Sequence, residues 1–252
     1  MEDIWKESFS VSVTDSDFAG RMRLSALLGV MQNAADRHLE HAGIYVGRML
    51  EEGMAWVLMT IRLELSSVPR LGDSLLLETW NSGAEGAVWI RDYRLVDADG
   101  FEIGLASTAW TLVDIAKRRI LRPSAFPFPL SVSTRASLAG APQKAVLPRR
   151  EEADWSEGGI YQVPYSAVDC YGHLNNARYA DLCADLLTAD EHRECDIRSL
   201  TITYSREAAL GDRIVLRRTV GGPEVFFAGE TQTGRRTFEA VLGLAARIPI
   251  CT

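Results

Sequence analysis

The chain carries one short sequence pattern twice. Within residues 9–20 and again within residues 161–172, an aromatic residue, a valine, an aspartate and a glycine recur at a constant offset of 152 positions (161 − 9 and 172 − 20). A repeat at fixed spacing is typical of two copies of one supersecondary unit. The first copy continues with Arg21, whereas the second continues with His173. The pattern therefore predicts a duplicated fold in which one half carries a histidine that the other half lacks.

A second pair of matching segments supports the duplication. The sequence Leu-Gly-Asp occurs at residues 71–73 and again at residues 210–212, at an offset of 139 positions (211 − 72). Because the offset falls from 152 to 139, the first half must contain 13 additional residues between the two matching segments (152 − 139). The duplication thus extends well beyond a single motif.

Hydrophobic periodicity predicts the same order of elements in both halves. Apolar residues spaced by three and four positions predict amphipathic helices over residues 24–41 and 175–188. Alternating apolar and polar residues between turn signals predict strands at residues 9–14, 55–67, 73–81, 86–97, 102–114, 161–168, 197–208, 212–220, 224–231 and 236–248. Each half then consists of one strand, one long helix and further strands. One helix covers such a sheet only if the sheet wraps around it.

A linker separates the two halves. The segment from Pro123 to Pro148 is rich in proline, serine, alanine and glycine, which is a composition typical of linkers. We therefore predict an N-terminal domain at residues 1–125, a linker at residues 126–150 and a C-terminal domain at residues 151–252.

Composition and charge exclude several classes of protein. The formal net charge of −7 argues against a general nucleic-acid binder, whose binding domain would be basic. No apolar run reaches the roughly 18–20 residues that span a bilayer, and the acidic N-terminus lacks the features of a signal or transit peptide. The four cysteines show no CxxC pairing, so reduced thiols are expected. These features predict a cytoplasmic protein that binds neither membranes nor nucleic acids.

The histidine of the second copy lies within residues 169–179, which read DCYGHLNNARY. This segment resembles the D-x-N-x-H-V-N-N-x-x-Y motif of the acyl-acyl-carrier-protein (acyl-ACP) thioesterases, a tandem hotdog family. Residues 109–114 and 204–208 also resemble the family, the latter its Y-R-R-E-C segment with a catalytic glutamate. The resemblance implies an α+β fold of two tandem hotdog domains, each an antiparallel β-sheet wrapped around a long central α-helix. It also implies an acyl-binding, non-catalytic N-terminal domain and a catalytic C-terminal domain.

The resemblance assigns roles to six residues. It implies catalytic roles for Asp169, His173 and Glu207, and substrate-binding or orienting roles for Tyr171, Asn175 and Asn176. Hydrolysis of a thioester needs a base that activates water and donors that stabilise the oxyanion. Either Glu207 or Asp169 is the expected base, with His173 polarising the thioester or protonating the leaving thiolate. Direct attack by a carboxylate is an open alternative.

Two positions depart from the family pattern. Tyr171 stands where the motif has asparagine, and its hydroxyl is an alternative hydrogen-bond donor to the substrate. Ala208 stands where the family has cysteine, which argues against a cysteine nucleophile at that position.

Simpler structural roles compete with the catalytic ones. A histidine before a helix, such as His173, often has a packing or helix-capping role. Asn175 or Asn176 could equally be the N-cap of the helix, and Glu207 could be a solvent-exposed residue at the edge of a strand. The repeat favours catalysis, because its offsets align Arg21 with His173 (173 − 152) and Val68 with Glu207 (207 − 139). The histidine and the glutamate therefore occur together in one copy only.

His38 and His41 lie three residues apart on the predicted first helix. A third ligand is not evident, so this pair predicts exposed helix surface rather than a metal site. Neither a cofactor nor a metal is expected.

We expect an enzyme that releases free fatty acid from acyl-ACP. The acyl chain would lie in the first hotdog, against the apolar face of the helix at residues 24–41. The acidic carrier would be received by basic residues close to the linker, namely Lys117, Arg118, Arg119, Arg149 and Arg150. A solvated linker surface is an equally open interpretation of these residues. The alternatives are an acyl-CoA thioesterase of the same fold and a non-catalytic acyl-binding or dehydratase-like hotdog protein. A monomer and a homodimer are both compatible with a tandem chain.

Overall fold

Both halves of the chain fold with the same order of elements. The computed structural model describes residues 4–135, 137–138 and 140–247. One of the four cysteines expected to be reduced, Cys251, therefore lies outside the described residues. The first half contains β1 (Trp5–Ser10), α1 (Leu24–His41), α2 (Val46–Glu51), β2 (Met54–Leu65), β3 (Ser74–Glu85), β4 (Val88–Val96), β5 (Glu102–Asp114) and β6 (Arg119–Ile120). The second half contains β7 (Ser156–Gln162), α3 (Arg178–Ala184), α4 (Ala189–Glu194), β8 (Cys195–Tyr204), β9 (Arg213–Gly221), β10 (Glu224–Thr231) and β11 (Arg236–Ala246).

One antiparallel sheet runs through both halves. Its strand order is β1-β3-β4-β5-β2-β8-β11-β10-β9-β7, with β6 paired to β5. The halves meet where β2 pairs with β8, and there Arg62 lies opposite Thr201, its own counterpart under the offset of 139 (201 − 62). A local two-fold axis therefore relates the two halves, and their buried apolar residues form one shared core. The α+β tandem hotdog fold predicted from the sequence is confirmed.

Helix α1 occupies the predicted residues and packs against its own sheet. Leu27, Leu28 and Met31 are buried on its inner face, and burial of each such side chain contributes about 1.5–3 kcal/mol. The helix ends before Gly43, which has a φ of 74° that is incompatible with a right-handed helix. The N–H of Gly43 donates to the carbonyl of Glu40 at 2.8 Å. The apolar face expected to hold the acyl chain is thus occupied by the protein core. Neither α1 nor another helix in the described part of the chain is long and apolar enough to cross a membrane.

The first strand of each half lies earlier in the chain than predicted. Strand β1 ends at Ser10, and a turn of 3₁₀ helix follows at Val13–Asp15. Within it, the N–H of Ser12 donates to the carboxylate of Asp15 at 3.2 Å, a side-chain bond that competes with strand pairing. Val13 is consequently 76 % exposed instead of continuing the apolar face. The predicted strand at 161–168 is wrong in the same way, because β7 ends at Gln162.

The second central helix is much shorter than the predicted 175–188. The side-chain Oδ1 of Asn175 accepts the N–H of Ala177 at 3.0 Å, which holds residues 175–177 in a turn. The N-cap position of α3 is Ala177, so neither asparagine caps the helix by its side chain. Beyond α3, Thr188 and Glu191 form a capping box that starts α4 as a separate helix.

The linker runs along the outer face of the sheet and binds both halves. In the first half, the buried carboxylate of Asp92 accepts the hydroxyl of Ser137 at 2.9 Å and the N–H of Leu138 at 3.2 Å. In the second half, the N–H of Ala145 donates to the Thr203 hydroxyl at 2.9 Å. The linker therefore adds hydrogen bonds that hold the two halves together.

Helix α4 is fixed to β9 by an ion pair that makes stability depend on acid pH. Both carboxylate oxygens of Glu191 accept from Arg218, at 2.7 and 2.9 Å. The hydrogen bonds from Arg218 lower the pKa of Glu191 from 4.5 to about 2. Because the folded protein holds the charged form, this stabilisation is present above pH 4.5 and is lost as the pH falls toward 2.

Glu191→Gln is expected to lower the free energy of unfolding at pH 7 by about 1–3 kcal/mol. The loss of stability between pH 4.5 and 2 should be shallower in this variant, as measured by urea unfolding at several pH values. Asp190→Asn is the control, because Asp190 forms a neighbouring ion pair with Arg193 but is 79 % exposed. An equal effect of the two substitutions would contradict this account.

Candidate active site

The turn before α3 is held by the carboxylate of Asp169. Its Oδ1 accepts the backbone N–H of Tyr171 at 2.9 Å and that of His173 at 3.4 Å. The Asp169 N–H in turn donates to the carbonyl of His173 at 2.9 Å. Gly172 adopts a φ of 81°, which only glycine adopts readily. The histidine is therefore presented from a turn of defined shape.

This turn pairs with the loop that follows β8. The N–H of Leu174 donates to the carbonyl of Ala208 at 2.7 Å, and His173 forms an isolated bridge with Ala209. As a result, Nε2 of His173 lies 3.4 Å from Oε2 of Glu207. The two side chains are 37 % and 60 % exposed, so the pair is accessible to water.

The structure separates the two carboxylates that the sequence left as alternative bases. Glu207 lies within 4 Å of the imidazole, whereas no ion pair joins Asp169 and His173 in the described part of the chain. Asp169 instead binds backbone N–H groups of the turn. Its position fits a structural role in aiming the histidine.

Of the three predicted orienting residues, Tyr171 has a partly exposed side chain and lies in the turn that carries His173. It is 45 % exposed, and burial, then Cys170 and the carboxylates of Asp36 and Asp169, raise the pKa of its phenol. The hydroxyl therefore stays protonated at neutral pH and can donate a hydrogen bond. The Asn175 side chain is used within the turn.

Asn176 contributes its backbone to the packing behind the site. Its carbonyl accepts the hydroxyl of the buried Tyr204 at 3.0 Å. This bond ties the residues just before α3 to the end of β8, so it joins the two segments that flank the His173 turn and the Glu207 loop.

Sequence reasoning missed a residue of the first half that lies close to this turn. Asp36 lies on the exposed side of α1, and the protein packed around its carboxyl raises its pKa above the ordinary value, with Arg91 opposing and Glu40 adding to the effect. Helix α1 contacts α3, the helix that follows the turn, so Asp36 comes within electrostatic range of Tyr171. A polar residue on an amphipathic helix carries no sequence signal for such a contact.

The expectation that His38 is exposed is wrong. His38 is 4 % exposed, and its Nδ1 lies 3.2 Å from Nη1 of the buried Arg91. The same guanidinium nitrogen donates to the hydroxyl of Thr79 at 3.2 Å. His41 is exposed and lies beside the ring of Trp5. Within residues 4–135, 137–138 and 140–247, no group of three or more potential metal ligands is found.

Most basic residues proposed to receive the carrier already have acidic partners. Lys117 and Arg119 both lie within 4.0 Å of Asp114. Arg149 pairs with Glu152 at 3.7 Å, and Arg150 pairs with Glu230 at 2.7 Å. These pairs reduce the positive charge available to an acidic carrier.

The first copy uses the position of the histidine for a different purpose. Nη1 of Arg21 donates to the carbonyl of Cys195 at 2.6 Å, and Nη2 donates to that of His192 at 3.0 Å. Nε donates to Asp17 at 2.7 Å, and Nη1 lies 3.4 Å from Asp196. The Arg21 side chain is only 7 % exposed, so it acts as a clamp between the two halves.

Substitution of Asp169 separates a positioning role from a role as base. Asp169→Ala removes both hydrogen bonds to the turn and is expected to lower kcat about tenfold to a hundredfold. Asp169→Asn keeps an acceptor oxygen, so kcat should stay within about fivefold of wild type. Steady-state hydrolysis of an acyl-ACP thioester, the substrate class that the sequence resemblance implies, measures both effects. Equal losses for Asn and Ala would show that the charge itself is required.

Two family models match the sequence. The acyl-ACP thioesterase N-terminal domain matches residues 2–124, and the acyl-ACP thioesterase C-terminal domain matches residues 150–235. A chloroplastic palmitoyl-acyl carrier protein thioesterase of Arabidopsis thaliana is 21 % identical over 217 residues, which are 81 % of this chain and 52 % of that protein. A counterpart from Cuphea hookeriana is 23 % identical over 220 residues, with the same coverage of each chain. This chain thus spans about half the length of these curated relatives.

Solved structures share the whole fold. An acyl-ACP thioesterase from Bacteroides thetaiotaomicron superposes with a TM-score of 0.87 at 20 % identity, over 96 % of this chain and 98 % of that one. The 12:0-ACP thioesterase from Umbellularia californica gives a TM-score of 0.81 at 18 % identity, over 98 % and 99 % of the chains. At these identities the likeness establishes the fold alone. Because the two family models together match most of the sequence, this chain belongs to the acyl-ACP thioesterase family.

Proposed function

We propose that this protein hydrolyses the thioester of acyl-ACP and releases free fatty acid. The observation that supports this most strongly is the pair of His173 and Glu207, whose side chains lie 3.4 Å apart in the second copy alone. A carboxylate beside an imidazole fixes the orientation of the ring and stabilises its protonated form, which can then donate a proton. Membership of the thioesterase family supplies the class of substrate.

In the proposed mechanism, Glu207 accepts a proton from a water molecule that attacks the thioester carbonyl carbon. The carbonyl π electrons move onto oxygen, and the Tyr171 hydroxyl donates a hydrogen bond to the oxyanion. Glu207 passes the proton from water to His173 across their 3.4 Å contact. When the oxyanion collapses, the carbon–sulfur bond breaks and the leaving sulfur takes the proton from His173, so both residues return to their starting states. Asp169 keeps the histidine in place through the backbone of the turn.

The acyl chain is proposed to pass along the side of α1 that faces this turn. The offset of 152 makes Ala26 and Gly29 of α1 the counterparts of Arg178 and Asp181 of α3 (178 − 26 and 181 − 29). Small residues leave room for a chain, whereas the charged pair on α3 does not favour one. This route replaces the buried inner face of α1. A cytoplasmic location and the choice between monomer and homodimer stay predictions.

The carrier is tested by comparing hexadecanoyl-ACP with hexadecanoyl-CoA. The proposal predicts free fatty acid from the ACP thioester and a higher kcat/KM than for the CoA thioester. A higher kcat/KM for the CoA thioester would favour the acyl-CoA thioesterase. Absence of hydrolysis of either substrate by a folded protein would favour the non-catalytic, acyl-binding alternative.

A further inference from the structure

A crevice of about 700 Å³ lies between the two halves at the first copy of the repeated turn. Its walls include Asp17 and Phe18 of that turn, and Asp181 and Leu182 of α3. Small-molecule sites typically have volumes of about 300–1,000 Å³. The crevice therefore has the size of a ligand site, although it lies away from His173.

The repeat relates this crevice to the candidate active site. Val68 and Arg21, the counterparts of Glu207 and His173, are among its lining residues. The guanidinium of Arg21 is bound to the carbonyl oxygens of residues 192 and 195, so it leaves the space open. The first copy thus carries neither reactive side chain and has an open cavity beside the two positions that correspond to them.

The walls of the crevice differ in polarity. One part is apolar and is formed by Leu24, Leu65, Val68, Leu182 and Ile197. The other part contains three carboxylates and three guanidinium groups, those of Asp17, Asp181, Asp185, Arg21, Arg23 and Arg178. The charges balance, and Arg178 already pairs with Asp181 at 3.1 Å. These walls suit a ligand with an apolar chain and an uncharged polar arm that forms hydrogen bonds.

Aromatic side chains lie exposed at the rim of the crevice. Phe18, which lines it, is 75 % exposed. Tyr165 is 85 % exposed and stands between the lining residues Pro164 and Ser166. Exposed apolar surface next to a cavity is typical of a place that a ligand covers.

We propose that this crevice is a second binding site for acyl thioesters of a pantetheine-type arm, one that holds them without hydrolysis. The acyl chain lies on the apolar wall, and the amide groups of the arm face the charged wall. Because Arg21 and Val68 replace the histidine and the glutamate, the bound thioester stays intact. Only the class of ligand rests on the proposed function.

The probe is S-dodecyl-pantetheine, a thioether that cannot be hydrolysed, and calorimetric titration gives the number of bound equivalents. Wild type is expected to bind two equivalents, one in this crevice and one beside His173 and Glu207, where the proposed function places the thioester. Val68→Trp and Ala184→Phe place bulk into the crevice from opposite walls, and each should bind one. Val220→Trp is the control and should bind two, because Val220 is a 54 % exposed residue that does not line the crevice.

A single equivalent in wild type, or two equivalents in both occluded variants, would overturn the second site. Dodecanoate is the second probe. If it binds more tightly than the thioether, and if this binding is lost in both Val68→Trp and Ala184→Phe, the proposal that the ligand carries an uncharged polar arm would be wrong. Hydrolysis of hexadecanoyl-ACP by wild type is measured separately. Failure of that reaction rejects the proposed function, whereas the number of bound equivalents decides on the crevice.

Discussion

Glu207→Gln is expected to lower kcat for hexadecanoyl-ACP by about 10²–10⁴-fold, because it removes the proposed general base. Glutamine keeps the size of the side chain and its place 3.4 Å from His173, but it cannot accept the proton of water. The KM should change much less than kcat, since the substitution leaves the acyl-binding surface intact. Steady-state release of hexadecanoic acid measures both constants.

Glu64→Gln is the matched control for this substitution. The Glu64 side chain is 59 % exposed and pairs with the basic residue Arg62 at 2.6 Å, so its exposure is similar to that of Glu207. Its kcat should equal that of wild type. Full activity of Glu207→Gln, or an equal loss in Glu64→Gln, would remove the assignment of Glu207 as base.

Arg21→Met is expected to lower the free energy of unfolding by about 3–5 kcal/mol. The substitution leaves the carboxylate of Asp17, 22 % exposed, without the guanidinium that neutralises it, and leaves Asp196, 8 % exposed, to Arg247 at 3.6 Å. It also removes the donors to two carbonyl oxygens of the other half. For a chain of this size, such a loss corresponds to a fall in Tm of roughly 6–20 °C.

Urea unfolding of a short series checks the origin of this loss. Adding Asp17→Asn to Arg21→Met should recover part of the stability, because it removes the carboxylate that has lost its ion-pair partner. Arg23→Met should lower the free energy of unfolding by less than about 1 kcal/mol, since Arg23 is exposed and donates to the carbonyl of Thr14 at the surface. Equal stabilities of Arg21→Met and Arg23→Met would contradict the clamp.

The duplication and the long helix α1 were predictable because they depend on repeated local signals. Offsets of 152 and 139 recur in the structure as backbone bonds, with Met22 N–H donating to Pro69 as Leu174 N–H donates to Ala208. Val13 was wrongly predicted to lie in a strand, because the alternation of apolar and polar residues continues through the turn that ends the strand. Short polar side chains stabilise such a turn without altering the alternation in the sequence. The same reason explains why the turn at Asn175 delays the start of α3.

The candidate site was only partly predictable. The family motif led to His173 and Glu207, which the fold brings together. The choice between Asp169 and Glu207 depends on which atoms each carboxylate reaches, and that is set by the turn rather than by spacing. Asp36 and the open crevice arise from contacts between the two halves, which periodicity within one half does not encode.

The central claim is that only the second copy of the repeated pattern carries the chemistry. Single-turnover hydrolysis of hexadecanoyl-ACP by His173→Ala and Arg21→Met tests it, because these residues are counterparts in the two copies. At a temperature where both variants are folded, His173→Ala should lose about 10²–10⁴-fold in rate and Arg21→Met less than about tenfold. Unchanged hydrolysis by His173→Ala, or an equal loss in folded Arg21→Met, would contradict the account.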